Sequence, residues 1–194
     1  MVIEGPNGVG KTTIVRLLTD RLRAAPAAVY ATAEPSGTPL GRLLRRAEET
    51  LTGRALAMAI AADRNHHIDT EIIPQLDDGA QVICDRYVPS SLVLQRVDGM
   101  DTSEIWTYNR YCLQPDLLVY LDEDAQVIAS RLKDRQHLSR LETTGSPADE
   151  LRLYADAREF LAAEGWHQHV IDCRGRAPEH IVHQILALIN ELEA

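Results

Sequence analysis

The chain has 194 residues, 45% of them hydrophobic, which is enough for a core and typical of one domain over residues 1–194. Its 20 Lys and Arg against 29 Asp and Glu give a net charge of −9, which disfavours nucleic acid or an anionic membrane as the main partner. A small anionic ligand stays open, because such a ligand responds to local arginines more than to the net charge.

Cysteine usage and apolar runs bear on the compartment. Cys84, Cys112 and Cys173 are odd in number and far apart, so the sequence predicts neither a disulfide framework nor a zinc site, and a cytoplasmic location is expected. The chain opens without a basic segment followed by an apolar run, and its longest apolar stretch, residues 55–62, is too short to span a bilayer. We therefore expect neither export nor membrane anchoring.

Short apolar or β-branched runs alternate with amphipathic segments along the chain. We predict buried strands at residues 2–3, 28–30, 82–84, 117–121 and 170–171. We predict helices at residues 12–22 and at 178–192, where an apolar stripe ends at Leu192. This alternation predicts an α/β fold, in which a five-stranded parallel sheet carries helices on both faces. Residues 143–147 are predicted as the most flexible loop, followed by 98–101.

A glycine-rich motif stands between the first predicted strand and the first predicted helix. It fits the pattern G-x-x-x-x-G-K-[ST] and consists of Gly5, Pro6, Asn7, Gly8, Val9, Gly10, Lys11, Thr12 and Thr13. In such a loop, backbone N–H groups face phosphate oxygens, and Lys11 adds a cation for the β- and γ-phosphates. The Thr12 hydroxyl is placed to ligate Mg²⁺. Because a strand precedes the motif and a helix follows it, a mere linking turn is disfavoured.

Two later segments carry candidate acceptor residues. Arg64 is predicted inside a helix, and Asp85 and Arg86 follow directly after a strand. Arg86 suits a bidentate grip on an acceptor phosphate, while Asp85 suits a place near the metal or beside a cation. An ordinary salt bridge in a turn is the alternative. His66 and His67 are adjacent and point to different helix faces, so one is expected to pack and the other to be solvated.

Candidate cations also precede the predicted loop at residues 143–147. Arg131, Arg135 and Arg140 form either a cationic rim beside a mobile segment or a solvated helix face, and their spacing leaves both open. No guanine-reading N-K-x-D segment is present, so a signalling GTPase is not expected.

The order of these motifs resembles that of bacterial thymidylate kinases over nearly the whole chain. Besides the phosphate loop, the similar segments are TAEPSGTPLG at 32–41, AADR at 61–64, DRYVPSS at 85–91, the strand beginning QPDL at 114–117 and SRLE at 139–142. The resemblance implies a P-loop NTPase fold with a lid at about 135–150. It also makes a homodimer an expectation.

What the resemblance implies chemically is an ATP-dependent nucleoside monophosphate kinase that uses Mg²⁺, with dTMP as the first candidate acceptor. Lys11, the metal and a lid arginine would stabilise the transferring phosphoryl group, with Arg140 as the first candidate and Arg135 as the second. One alternative is a kinase of a different nucleotide, a nucleoside or another small alcohol. On a hydroxyl, Asp85 or Glu34 would have to act as general base. A second alternative is a nucleotide-binding regulator without transfer activity.

The departures from the family pattern fall on the acceptor side. Asn7 stands where aspartate is usual near the acceptor's 3′-hydroxyl, Ala33 replaces an arginine, Ile60 replaces a phenylalanine that stacks on thymine, and Leu94 replaces a tyrosine near the sugar. A lost stack would cost roughly 1–3 kcal/mol if nothing replaced it. These changes make a different or broader acceptor plausible. The candidate acceptor residues are Asn7, Glu34, Ile60, Arg64, Arg86, Ser90, Ser91, Leu94 and Gln95.

Overall fold

The computed structural model describes residues 1–24, 28–133 and 140–192. The strands are β1 (Val2–Glu4), β2 (Val29–Ala33), β3 (Gln81–Asp85), β4 (Leu118–Asp122) and β5 (Gln168–Asp172). The helices are α1 (Lys11–Arg23), α2 (Pro39–Ala47), α3 (Gly53–His67), α4 (Ile73–Asp77), α5 (Val88–Val97), α6 (Thr102–Asn109), α7 (Ala125–Lys133), α8 (Arg140–Thr143), α9 (Pro147–Ala163) and α10 (Pro178–Leu192). A π-helical turn, Ile68–Ile72, joins α3 to α4.

All five strands pair in parallel in the order β2-β3-β1-β4-β5, which confirms the predicted sheet. The central strand β1 pairs Ile3 with Asp85 of β3 on one side and with Val119 of β4 on the other. This register brings the ends of β1 and β3 together, so the phosphate loop after β1 lies beside Arg86.

Both faces of the sheet are covered, as predicted. Val2 and its neighbours on one face pack against residues of α5, α6 and α9, whereas Ile3 and its neighbours pack against α1 and α10. Adjacent residues of β1 reach opposite cores because side chains alternate along a strand. The helices predicted at residues 12–22 and 178–192 correspond to α1 and α10.

Three expectations need correction. Only the inner strands β1, β3 and β4 are largely buried; β2 and β5 are edge strands, and Val170 of β5 is 42% exposed. Leu192 is 55% exposed because it lies in the last turn of α10, beyond the core contacts of Ile189. The loop predicted at 143–147 is reduced to residues 144–146, since Ser146 caps α9 and Pro147 begins it. In the described part of the chain, no helix is both long and apolar enough to cross a membrane.

Candidate active site

The phosphate loop takes a path that only glycine permits at its first position. Gly5 has a φ of 139°, and a Cβ there would stand 2.7 Å from the carbonyl oxygen of Leu121. Gly10, with a φ of 112°, precedes the first residue of α1. The loop therefore turns directly into the positive end of a helix, which is a ready anion-binding arrangement.

Lys11 is folded back onto its own loop. Its Nζ donates to the carbonyl oxygens of Gly5 at 2.7 Å and Pro6 at 2.9 Å, and the residue is only 6% exposed. Burial and the nearby Arg86 guanidinium lower the pKa of Lys11 to about 7, against the opposing effect of Asp85 and other carboxylates. A phosphate beside Lys11 would restore the charged form, because an opposite charge favours it.

Thr12 and Asp85 form a site that suits a divalent cation. The Thr12 hydroxyl donates to Asp85 Oδ2 at 2.7 Å. The other carboxylate oxygen, Oδ1, is buried and accepts no hydrogen bond from the described residues. Oxygen donors of this kind are what Mg²⁺ prefers, and an orphaned buried carboxylate oxygen fits the ion or one of its waters.

Arg86 projects from the turn after β3, where its φ of 73° is rare for a residue with a side chain. Its guanidinium donates to Asn7 Oδ1 at 2.5 Å and to the Ser90 hydroxyl at 3.0 Å. Asn7 in turn donates from its backbone N–H and its amide to Glu150 of α9, at 2.9 and 3.2 Å. The predicted acceptor arginine is thus held from two sides.

Glu4, which the sequence did not single out, accepts hydrogen bonds from residues that surround Arg86. The carboxylate is fully buried and accepts from the Tyr87 N–H at 2.6 Å, the Ser90 hydroxyl at 2.8 Å and the Tyr154 hydroxyl at 3.2 Å. Burial raises the pKa of Glu4, although Arg86 and Lys11 oppose the shift. The only signal in the sequence was a carboxylate at the end of the first apolar strand, immediately before the glycine-rich motif.

Most of the candidate acceptor residues lie around one cavity. Eight of them line one narrow cavity beside the loop: Glu34, Ile60, Arg64, Arg86, Ser90, Ser91, Leu94 and Gln95. The ninth, Asn7, lines a neighbouring cleft of about 500 Å³ together with Lys11, Thr12, Asp85 and Arg86. Glu34, Arg86 and Leu94 border both spaces. The cleft has the volume of a small-molecule site.

Arg64 forms a wall of the narrow cavity, because its donors are engaged by the protein. Its Nε donates to Glu34 Oε2 at 2.6 Å, its Nη2 to Ser91 Oγ and the Tyr87 carbonyl oxygen at 3.0 Å each, and its Nη1 to Asn109. Gln95 differs, since its buried Oε1 accepts no hydrogen bond from the described residues. Gln95 is therefore the better placed of the two to read a ligand.

Three polar residues of the family-like segments, Ser36, Thr38 and Asp63, hydrogen-bond one another. Asp63 accepts from the Ser36 N–H at 2.7 Å and its hydroxyl at 2.6 Å, and from Thr38 at 3.2 Å. These bonds hold the loop after β2 against α3. The close packing explains Gly41, where a Cβ would stand 2.2 Å from the carbonyl oxygen of Ser36.

Cys84 meets two other potential metal ligands, Glu34 and His67, with ligand atoms within 4.8 Å of one another. All three are buried, and Arg64 already neutralises Glu34. His67 packs as expected, with Nε2 at 2.8 Å from the Thr32 hydroxyl, and His66 is exposed. Burial raises the pKa of the Cys84 thiol, which opposes its conversion to a metal-binding thiolate.

The cations of the lid region are divided between two places. Arg140 donates to both carboxylate oxygens of Asp98, at 2.6 and 3.1 Å, and does not contact the phosphate loop. Arg131 does contact it, through the carbonyl oxygens of Val9 at 3.1 Å and Gly8 at 3.5 Å. Arg135 lies outside the described residues, as do residues 136–139 of the predicted lid, whereas residues 140–150 are described. Arg45 of α2, which the sequence analysis did not single out, also lines the large cleft.

A phosphate loop at the end of the central strand, a lysine and a metal-suited hydroxyl in it, and a facing arginine define a phosphotransferase of the α/β P-loop class. A family model described as thymidylate kinase matches residues 3–184. A probable thymidylate kinase of Caldivirga maquilingensis is 35% identical over 193 residues, covering 97% of this chain and 92% of the relative.

Two further relatives are also described as thymidylate kinases. A probable thymidylate kinase of Pyrobaculum aerophilum is 34% identical and covers 99% of this chain and 96% of its own. A thymidylate kinase of Anoxybacillus flavithermus is 37% identical over 140 residues, covering 68% and 67%. The chain belongs to the thymidylate kinase family.

Proposed function

We propose that this chain is a nucleoside monophosphate kinase that transfers the γ-phosphate of ATP to an acceptor monophosphate with Mg²⁺, and that dTMP is the first acceptor to test. One observation carries the proposal: Lys11 of the phosphate loop and Arg86 of the acceptor side line the same cleft. The names of the relatives support dTMP.

The residues divide the work between donor and acceptor. The loop N–H groups and Lys11 hold the phosphates of the donor, and Thr12 and Asp85 would hold the metal, which neutralises charge on the transferring group when bound. Arg86 grips the acceptor phosphate. Since the oxygen of that phosphate is already anionic, the protein needs to supply no general base.

The acceptor end of the site is less polar than the family pattern. Ile60 and Leu94 line the narrow cavity where an aromatic stack and a tyrosine are usual, and Gln95 offers its unsatisfied oxygen. This favours including other pyrimidine and purine monophosphates in the test as alternative acceptors.

The test is ADP release in the presence of ATP, Mg²⁺ and a panel of nucleoside monophosphates and nucleosides. We expect dTMP to give the highest kcat/KM. Arg86→Ala should raise the acceptor KM by about 10- to 100-fold, which is the range for losing charge-assisted hydrogen bonds, with the ATP KM little changed. Arg174→Ala is the matched control, because Arg174 is exposed and pairs with Asp172 at 2.7 Å.

Turnover of a nucleoside but of no monophosphate would contradict the proposal and favour a hydroxyl kinase. ATP binding with no acceptor-dependent ADP release would favour a regulator.

A further inference from the structure

A hydrogen-bond network of three residues, Glu150, Asn7 and Arg86, connects α9 through the phosphate loop to the acceptor arginine. Glu150 and Asn7 are 143 residues apart, yet Glu150 Oε1 accepts from the Asn7 backbone N–H at 2.9 Å and from its Nδ2 at 3.2 Å. Asn7 Oδ1 then accepts from Arg86 Nη2 at 2.5 Å. Each neighbouring pair in this network is joined by a direct hydrogen bond.

The outer residues of the network, Arg86 and Glu150, determine which type of residue fits between them. An arginine has only donors, and an ionised carboxylate has only acceptors. A residue between Arg86 and Glu150 must therefore accept on one side and donate on the other, which the amide of Asn7 does. An aspartate at position 7 would still accept from Arg86, but it would set a second carboxylate against that of Glu150 at the same short distance.

The carboxylate that faces Asn7 therefore comes from Glu150 of α9 and not from position 7 of the loop. Burial acts to lower the pKa values of both Lys11 and Arg86, and Glu150 is among the groups that oppose it; the pKa of Lys11 is lowered on balance and that of Arg86 is raised. Asn7 is 7% exposed, so little solvent competes for its hydrogen bonds. Its amide orientation, and with it the direction of the Arg86 guanidinium, depends on the Glu150 carboxylate.

We propose that Glu150 is a positioning residue of the acceptor site, which orients Asn7 so that Asn7 holds Arg86 toward the phosphate of the acceptor monophosphate. The inference deepens the proposed function and rests on it. Asn7 and Glu150 act as a matched pair, so a carboxylate is tolerated at one of the two positions and a neutral amide is needed at the other.

The test compares Asn7→Asp, Glu150→Gln, Glu150→Ala and the double variant Asn7→Asp/Glu150→Gln in the full chain. We expect Asn7→Asp and Glu150→Ala each to raise the acceptor KM by about tenfold, within the usual coupling between contacting residues, with the ATP KM within about threefold of wild type. Glu150→Gln should have the smallest effect, because its amide oxygen still accepts. The double variant should return to within about threefold of wild type, since the carboxylate introduced at position 7 then faces an amide donor at position 150.

The control is Asp149→Ala in the same turn of α9. Asp149 belongs to the cap with Ser146 and is exposed, so its loss should lower the melting temperature without changing the acceptor KM. If Glu150 had a purely structural role, Glu150→Ala would likewise lower the melting temperature and leave the acceptor KM unchanged.

Two results would overturn the inference in a wild type that turns over its acceptor: additive defects in the double variant, or an unchanged acceptor KM in Glu150→Ala. If wild type neither binds a monophosphate by calorimetry nor turns one over, the proposed function itself fails and the inference falls with it. The wild-type measurement thus distinguishes the two failures.

Discussion

Lys11 shows how the loop keeps a cation ready for a ligand. It lies between two carbonyl oxygens of its own loop and near a second cation, Arg86. Burial and that neighbour lower its pKa to about 7, so that near neutral pH the free protein holds Lys11 in a mixture of charged and neutral forms. A phosphate that replaces the two carbonyl contacts would shift this mixture toward the charged form.

We therefore predict that ATP binding takes up a proton above about pH 7. The free protein at about pH 8 has largely neutral Lys11, and the bound anion raises the pKa, so the complex holds a proton that the free protein lacks. Well below pH 7, Lys11 is charged in both states and the uptake vanishes. Calorimetry in two buffers of different ionisation enthalpy measures the uptake.

Lys11→Met should abolish this proton uptake as well as weaken binding. A binding enthalpy for wild type that is the same in both buffers at pH 8 would contradict the assigned pKa.

At the scale of the elements, α7 and α8 offer different cations. Arg131 of α7 steadies the loop through the Val9 carbonyl oxygen and pairs with Glu123 at 3.1 Å. Arg140 of α8 is held by Asp98 in the turn after α5, so it must leave that partner to reach a transferring phosphoryl group. Arg140 and Arg135 thus stay predictions as the lid cation, and Arg131 joins them as a third candidate because it contacts the loop.

We expect Arg140→Ala to lower kcat by about 10²- to 10³-fold, as for loss of one transition-state donor, with the ATP KM little changed. Arg131→Ala should mainly raise the ATP KM, because it loosens the loop. Steady-state kinetics with saturating acceptor separates the two effects. Asp98→Ala is the control, since it breaks the same ion pair but keeps the Arg140 side chain.

The reverse pattern, with kcat lost in Arg131→Ala and retained in Arg140→Ala, would assign the transition-state cation to α7.

On the scale of the whole molecule, the sheet separates two cores. Leu18 of α1 is fully buried in the core on one face, and Leu92 of α5 is fully buried in the other. Because the loop and the acceptor site sit on the edge between these layers, both cores must be intact to align Lys11 with Arg86.

Leu18→Ala should lower the free energy of unfolding by about 2–5 kcal/mol, the cost of removing a buried leucine and leaving a cavity. Leu192→Ala, at a residue 55% exposed, should change it by less than about 0.5 kcal/mol. Urea unfolding followed by circular dichroism measures both. Equal losses would contradict the burial assigned to the two leucines.

Particular residues show where sequence reasoning succeeds and stops. The sheet, α1 and α10 were predictable, because hydrophobic periodicity is a local signal. Exposure of β2, β5 and Leu192 was not, since apolar composition does not say which strand lies at an edge or where a helix leaves the core. Glu4 was missed although it directly precedes the glycine-rich motif, because its partners Tyr87, Ser90 and Tyr154 are far away in the sequence. Arg45 was missed because nothing in its local sequence indicates the cleft.

The phosphate loop follows from the sequence alone, because a strand, a glycine-rich loop and a helix in direct succession bring Lys11 and Thr12 to the first turn of α1. The partners of the candidate acceptor residues follow only from the three-dimensional fold, in which Asn7 contacts Glu150 from α9, and Arg64 contacts Glu34 from the loop after β2. These contacts are hard to predict because the partners are far apart in the sequence. A loop's conformation follows from adjacent residues, whereas a hydrogen bond between residues 143 apart exists only once the sheet has brought the loop and α9 together.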